Sequence, residues 1–226
     1  PDIGYELPEL RVHEEVVSVD NSTAGTDRDG QVKMFREAAL GLADAAKERR
    51  DNMQEKIVRV VEIINRPENK DAHFLLWHDL ENERKALCDA IPGCKAVYGS
   101  QDDDEADKVI ADFKDGRLKY LAAKPEMLGE GLNFQYHCHK AIMFIDYRFN
   151  DKFQAIARIY RFMQKHPVDL YLVYAESEGE IYKSFMQKWA QHREMVAKMT
   201  DIVRENGLFG LQAEEKMMRW MFASRE

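Results

Sequence analysis

Arg158 and Arg161 stand three residues apart in QAIARIYRFMQ (154–164), with Gln154 ahead of them and Gln164 behind. Side chains at i and i+3 of a helix share a face, so a helix here would point both guanidiniums the same way. An arginine fork stays charged and pre-organised, which suits a charge-delocalised anion such as a triphosphate. A solvated helix face uses the same residues, so the pair gains meaning only from its neighbours. Upstream lies LAAKPEMLGEGLNFQ (121–135). Its Gly129 and Gly131 let the backbone turn sharply and approach a phosphate or ribose closely. Asn133 can hydrogen-bond a backbone or nucleotide group. The loop follows an apolar run, LKYLAA (118–123). At the carboxyl end of a parallel strand it would sit on the edge where open α/β sheets bind ligands.

The other chemical groups have plainer readings. Asp146 follows the apolar run KAIMFI (140–145) and is read as a helix cap or a salt-bridge partner of the arginines, with a structural role preferred. His137, Cys138 and His139 are adjacent, so they do not share a strand face, and no second ligand pair stands at a standard spacing. No metal site is expected there or at Cys88 and Cys94. The acidic run Asp102-Asp103-Asp104-Glu105 is read as the start of a helix, where negative charge is favourable.

The elements that must hold these groups alternate along the chain. HFLLW (73–77), KAVY (95–98), LKYLAA, KAIMFI and DLYLVY (169–174) are short apolar runs. Helical stretches ENERKALCDAI, DDEADKVIADF and DKFQAIARIYRF separate them. Continuous apolar runs between helices mark strands buried on both faces of a parallel sheet. Residues 1–20 read as an extended or edge segment with the β-branched run Val16-Val17-Ser18-Val19, and 21–30 as a polar break. From Gln31 to Ile64 apolar residues recur at three- and four-residue steps, as one long helix or two joined near KERRDN. Beyond Glu178 the chain reads as helical, with Trp189, Met195, Met199, Trp220 and Met221 among its apolar positions. The expected divisions are 1–30, 31–177 and 178–226.

Composition sets broad bounds. The 226 residues are 45% hydrophobic and 33% charged, an ordinary globular mixture. No stretch approaches the ~20 apolar residues of a membrane span. No membrane partner is therefore expected, and three cysteines with no close CxxC pair suggest a reduced, cytoplasmic setting. A net charge of −8 argues against a protein that coats nucleic acid non-specifically. The charge is uneven: residues 1–139 carry 19 basic and 29 acidic side chains, residues 140–226 carry 14 and 12. A polyanion should therefore meet the second half.

Taken together, Gly129-Glu130-Gly131-Leu132-Asn133-Phe134-Gln135 and Gln154, Arg158, Arg161, Gln164 resemble the last two motifs of superfamily 2 helicases. The first is similar to the Gly-x-Gly-Leu-Asn-x-Gln loop, the second to Gln-(x)3-Arg-(x)2-Arg-(x)2-Gln, and the Snf-type, phage-like branch is the nearest. Met163 stands where that family usually has glycine, and Ala157 where phage-type members often have a further arginine. The resemblance implies a RecA-like α/β lobe in an ATP-dependent helicase or translocase on double-stranded DNA. Arg158 and Arg161 would then be catalytic, and Gly129, Gly131, Asn133 and Gln154 would bind nucleotide. No GxxxxGK[ST] loop occurs in the chain. In that family ATP and magnesium are held mainly by a preceding RecA-like lobe, the expected partner of this one. The chain is thus read as the C-terminal half of a longer protein, inactive alone. The alternative is a non-catalytic nucleic-acid or protein-interaction module that keeps the lobe fold.

Overall fold

The computed structural model describes residues 7–18, 52–128 and 132–206. Residues 21–30 and 31–51, Gly129, Gly131 and the stretch 207–226 lie outside them, with the expectations attached to each. The extended segment near the start and the five apolar runs become six strands among the described residues: β1 (Leu10–Val17), β2 (Phe74–Trp77), β3 (Lys95–Val97), β4 (Tyr120–Ala123), β5 (Lys140–Phe144) and β6 (Val168–Ala175). All pair in parallel in the order β1-β6-β5-β2-β4-β3. Five α-helices accompany them among the described residues: α1 (Met53–Ile64), α2 (Glu81–Ala90), α3 (Asp103–Lys114), α4 (Phe149–Ile156) and α5 (Gly179–Asn206).

Parallel strands need long crossovers, and here α2, α3 and α4 supply those between β2 and β3, β3 and β4, and β5 and β6. Residues of period two divide the sheet into two apolar faces. Phe74, Leu76, Ala122, Ile142, Phe144, Tyr171 and Val173 join one cluster with Ile57, Val60, Ile63 and Ile64 of α1 and Leu87 of α2. The alternate residues, Leu75, Trp77, Leu121, Met143, Leu170 and Leu172, are equally buried. Burial on both faces explains why the strands lack polar alternation. The β1 strand is an exception: its Arg11, His13 and Glu14 are at least partly exposed, as befits an edge strand.

The acidic run behaves as expected. Asp102 caps α3, its carboxylate accepting from the N–H groups of Asp104 (3.1 Å) and Glu105 (3.3 Å). At the start of α2 the buried Glu83 carboxylate accepts from the N–H groups of Asp79 (2.9 Å) and Leu80 (3.0 Å). One buried ion pair ties α1 to the turn after β6. Lys56 Nζ donates to both carboxylate oxygens of Glu178, at 2.9 and 3.1 Å, and Glu178 also accepts from Ala175 N–H at 2.7 Å.

The chain divides into two compact units, 1–182 and 183–226, with the boundary inside α5. The first holds the whole sheet, and in it the Tyr174 and Tyr182 rings stack at 4.7 Å. In the second, the Phe185 and Trp189 rings lie one turn apart, their centroids separated by 5.9 Å. Among the described residues no helix is long and apolar enough to cross a membrane.

Candidate functional site

The helix expected to carry both arginines stops short of them. α4 ends at Ile156, and residues 157–163 continue as successive turns. Beyond that end the carbonyls are bonded elsewhere than to the helix's own N–H groups. Arg158 C=O accepts from Phe134 N–H (3.2 Å), Ile159 C=O from Gln164 Nε2 (3.0 Å), and Phe162 C=O from Gln135 Nε2 (3.2 Å). Continued helix would have used those oxygens for N–H groups four residues on. Met163 then takes φ 72°, a left-handed conformation that glycine adopts freely and methionine does not. The arginines therefore do not share a regular helix face. They lie on a folded loop held by its neighbours.

That loop is fastened to the segment Asn133–Cys138. Besides the Phe134–Arg158 and Gln135–Phe162 bonds, Gln164 Nε2 donates to Cys138 C=O at 3.1 Å, and Gln164 Oε1 accepts from His166 N–H at 3.0 Å. Gln135 and Gln164 are both buried, so these amides act as fasteners between two loops. Arg158 is thereby brought beside Phe134, the neighbour of Asn133. Gln154 is exposed on the last turns of α4, with no hydrogen bond to these groups among the described residues.

Three polar atoms at this junction are buried and lack a partner: Arg158 Nε, Asn133 Oδ1 and Gln135 Oε1. Burying a polar group without a bond costs roughly 1–3 kcal/mol. Arg158 and Arg161 are half-buried and make no ion pair among the described residues. With no carboxylate paired to them among the described residues, the two guanidiniums form a donor set suited to an anion. The donor set fits a polyphosphate.

Sequence reasoning missed a second group, where the carboxyl ends of β2 and β5 meet α4. Asp79, directly after β2, pairs with Arg148 at 2.8 Å and with the fully buried Lys152 of α4. Asp146 accepts from Arg148 Nε at 3.0 Å and from its N–H at 2.9 Å, and lies 4.0 Å from Lys152. Asp146 thus pairs with Arg148 and Lys152, in a structural role at the start of α4. This network pins α4, and so the start of the arginine loop, to the sheet edge. The signal was present as charged residues placed immediately after apolar runs, HD after FLLW and D after KAIMFI. His78 beside it is fully buried, and neither ring nitrogen has a partner. Burial lowers its pKa to about 4, against the opposing pull of Glu83 and Asp79, so it is neutral at pH 7.

Cys138, the centre of the His-Cys-His triplet, is buried, its thiol 3.4 Å from His73 C=O and 3.3 Å from Lys140 C=O. Burial pushes its pKa up to about 12.

No protein-family description and no curated protein matches this sequence. Solved structures do match in fold. The C-terminal part of the Fun30 ATPase domain superposes with a TM-score of 0.50 at 16% identity, over 57% of this chain and 44% of that one. The C-terminal domain of S. cerevisiae Dbp5, solved with Gle1 and IP6, gives 0.50 at 14% identity over 62% and 80%. A longer Dbp5 chain, also with Gle1 and IP6, gives 0.51 at 12% identity over 81% and 40%. The fold is the RecA-like α/β lobe that these C-terminal ATPase domains share. The chain spans less than half the length of the Fun30 chain and of the longer Dbp5 chain.

Proposed function

We propose that this chain is the second, C-terminal lobe of an ATP-dependent superfamily 2 helicase or translocase, of the Snf-type branch, acting on double-stranded DNA. The reading rests on one observation above the others: the Asn133–Gln135 segment is bonded to a loop that carries Arg158 and Arg161, neither paired with a carboxylate among the described residues. In this reading Gly129, Gly131, Asn133 and Gln154 face the nucleotide, and a separate RecA-like lobe holds ATP and magnesium. Bound ATP supplies the phosphoryl group whose hydrolysis drives movement. The task of Arg158 and Arg161 is to meet the negative charge that develops there. Arginines in that role contribute on the order of 10³–10⁵ in rate in well-studied NTPases. The Asp79–Lys152–Asp146–Arg148 network holds α4 in place, so the guanidiniums arrive pre-positioned.

The conformation of Met163 supports retained motor chemistry over the alternative of a binding module that has lost it. Met163 adopts the backbone geometry open to glycine, so the loop keeps the shape that the helicase motif's glycine allows. The test is hydrolysis by a full-length protein containing this lobe. Arg161→Ala should abolish DNA-stimulated turnover while leaving ATP binding largely intact, and Arg158→Ala should be nearly as severe. Non-additive losses are expected, because both donors act on one charge. Retention of most of the turnover by both single variants would refute the assignment.

A further inference from the structure

Two of the three cysteines, set aside above as metal ligands, are a close pair. Cys88 on the last turn of α2 and Cys94 just before β3 have their sulfurs 3.9 Å apart. Cys94 is buried and Cys88 half-buried against the core, so Cys88 is the more accessible of the two. The connecting turn, Ile91-Pro92-Gly93, contains Gly93 at φ 79°, a conformation glycine adopts without strain. Cys94 N–H donates to Ile91 C=O at 3.0 Å, which keeps the turn closed and the two sulfurs on the same side of it.

We propose that Cys88 and Cys94 form an oxidant-sensitive dithiol: Cys88 is the site of attack on a hydroperoxide, and Cys94 resolves the product to a disulfide. The Cys88 thiolate attacks one peroxide oxygen. An S–O bond forms as the O–O bond breaks, and the departing hydroxide takes a proton to leave as water. The Cys94 sulfur then attacks Cys88 sulfur. The S–S bond forms, the S–O bond breaks, and the hydroxyl leaves with the Cys94 proton as a second water. Two thiols lose two electrons and the peroxide gains them.

The electrostatics run the same way. The hydrogen bond shared between the Cys88 and Cys94 sulfurs, with Arg84 one turn earlier on α2 adding positive charge, lowers the Cys88 pKa to about 7 against its burial. The same contact and burial push Cys94 up, so it stays protonated until Cys88 has reacted. Thiolate fraction and access govern which cysteine is oxidised first. Cys138, buried and far less acidic, is the internal control.

The experiment treats the reduced, folded 226-residue chain with hydrogen peroxide at pH 7, blocks remaining thiols, and digests with trypsin. Cys88 and Cys94 fall in one peptide, Ala86–Lys95. That peptide should lose two hydrogens and no longer alkylate, while Cys138 alkylates fully. In Cys94→Ser a dimedone adduct should accumulate on Cys88, and in Cys88→Ser none should form on Cys94. Alkylation of native Cys88 by iodoacetamide should be at least tenfold faster than that of Cys94 or Cys138, with its midpoint near pH 7. The proposal is overturned if the peptide stays reduced while Cys138 oxidises, if the adduct forms on Cys94 as readily as on Cys88, or if Cys88 reactivity rises only above about pH 8.5.

Discussion

Lys56→Met removes one partner of the buried Lys56–Glu178 pair and leaves the other charge stranded. At 2.9 Å, with an effective dielectric of about 20, the attraction is of order 6 kcal/mol. Most of that offsets the cost of taking both ions out of water, since the side chains are 2% and 1% exposed. Losing one partner of such a pair costs about 3–5 kcal/mol, because the remaining charge keeps its desolvation cost without compensation. The lower end applies here, since Glu178 retains the Ala175 N–H bond at 2.7 Å. Methionine preserves the length of the lysine stem, so cavity formation adds little. For a chain of this size 1 kcal/mol moves the midpoint by about 2–4 °C, which gives a fall of roughly 6–12 °C by thermal unfolding. Adding Glu178→Gln removes the stranded charge and keeps an acceptor for Ala175 N–H. The double variant should therefore recover at least half of the loss. A single-variant shift below about 2 °C, or a double variant no better than the single, would refute the reasoning.

His78 makes stability depend on pH. Its native pKa of about 4 lies below the ordinary 6.5, so between these values the unfolded chain binds the extra proton and stability is lost as pH falls through that window. Wild type should lose about 3 kcal/mol more than His78→Leu between pH 6.5 and 4 in urea titrations, and parallel curves would exclude this role. Met163→Gly should gain about 0.5–1 kcal/mol by relieving the left-handed backbone, net of the greater freedom of glycine when unfolded, whereas Met163→Ile should lose more than 1 kcal/mol. Denaturation midpoints in the reverse order would contradict the strain. The isolated chain should hydrolyse no ATP with or without duplex DNA, and calorimetry with magnesium-ATP should give a Kd no tighter than roughly millimolar. Micromolar binding or DNA-stimulated turnover by this chain alone would overturn the two-lobe reading.

Local physics made much of this protein legible. Short apolar runs at 73–77, 95–98, 118–123, 140–145 and 169–174, most of them separated by helical periods, announce strands buried on both faces. β2 to β6 form on these runs, their ends differing by at most two residues. The Asp102 cap and the edge character of β1 follow from nearest-neighbour chemistry in the same way. What tertiary structure alone decided was every feature that depends on residues distant in sequence. The order β1-β6-β5-β2-β4-β3 cannot be read from element sequence, because each pairing is a contest among several apolar strands. QAIARIYRFMQ has the period of a helix, yet α4 ends at Ile156, and the carbonyls of Arg158 and Phe162 beyond it accept from Phe134 and Gln135. Lys152 looks like a solvent-facing helix lysine, and only the arrival of Asp79, 73 residues earlier, makes it a buried charge. Helix and strand signals are local because hydrophobic period and backbone propensity act over a few residues. The site is assembled from carbonyls, amides and charges whose partners are chosen only when the sheet closes.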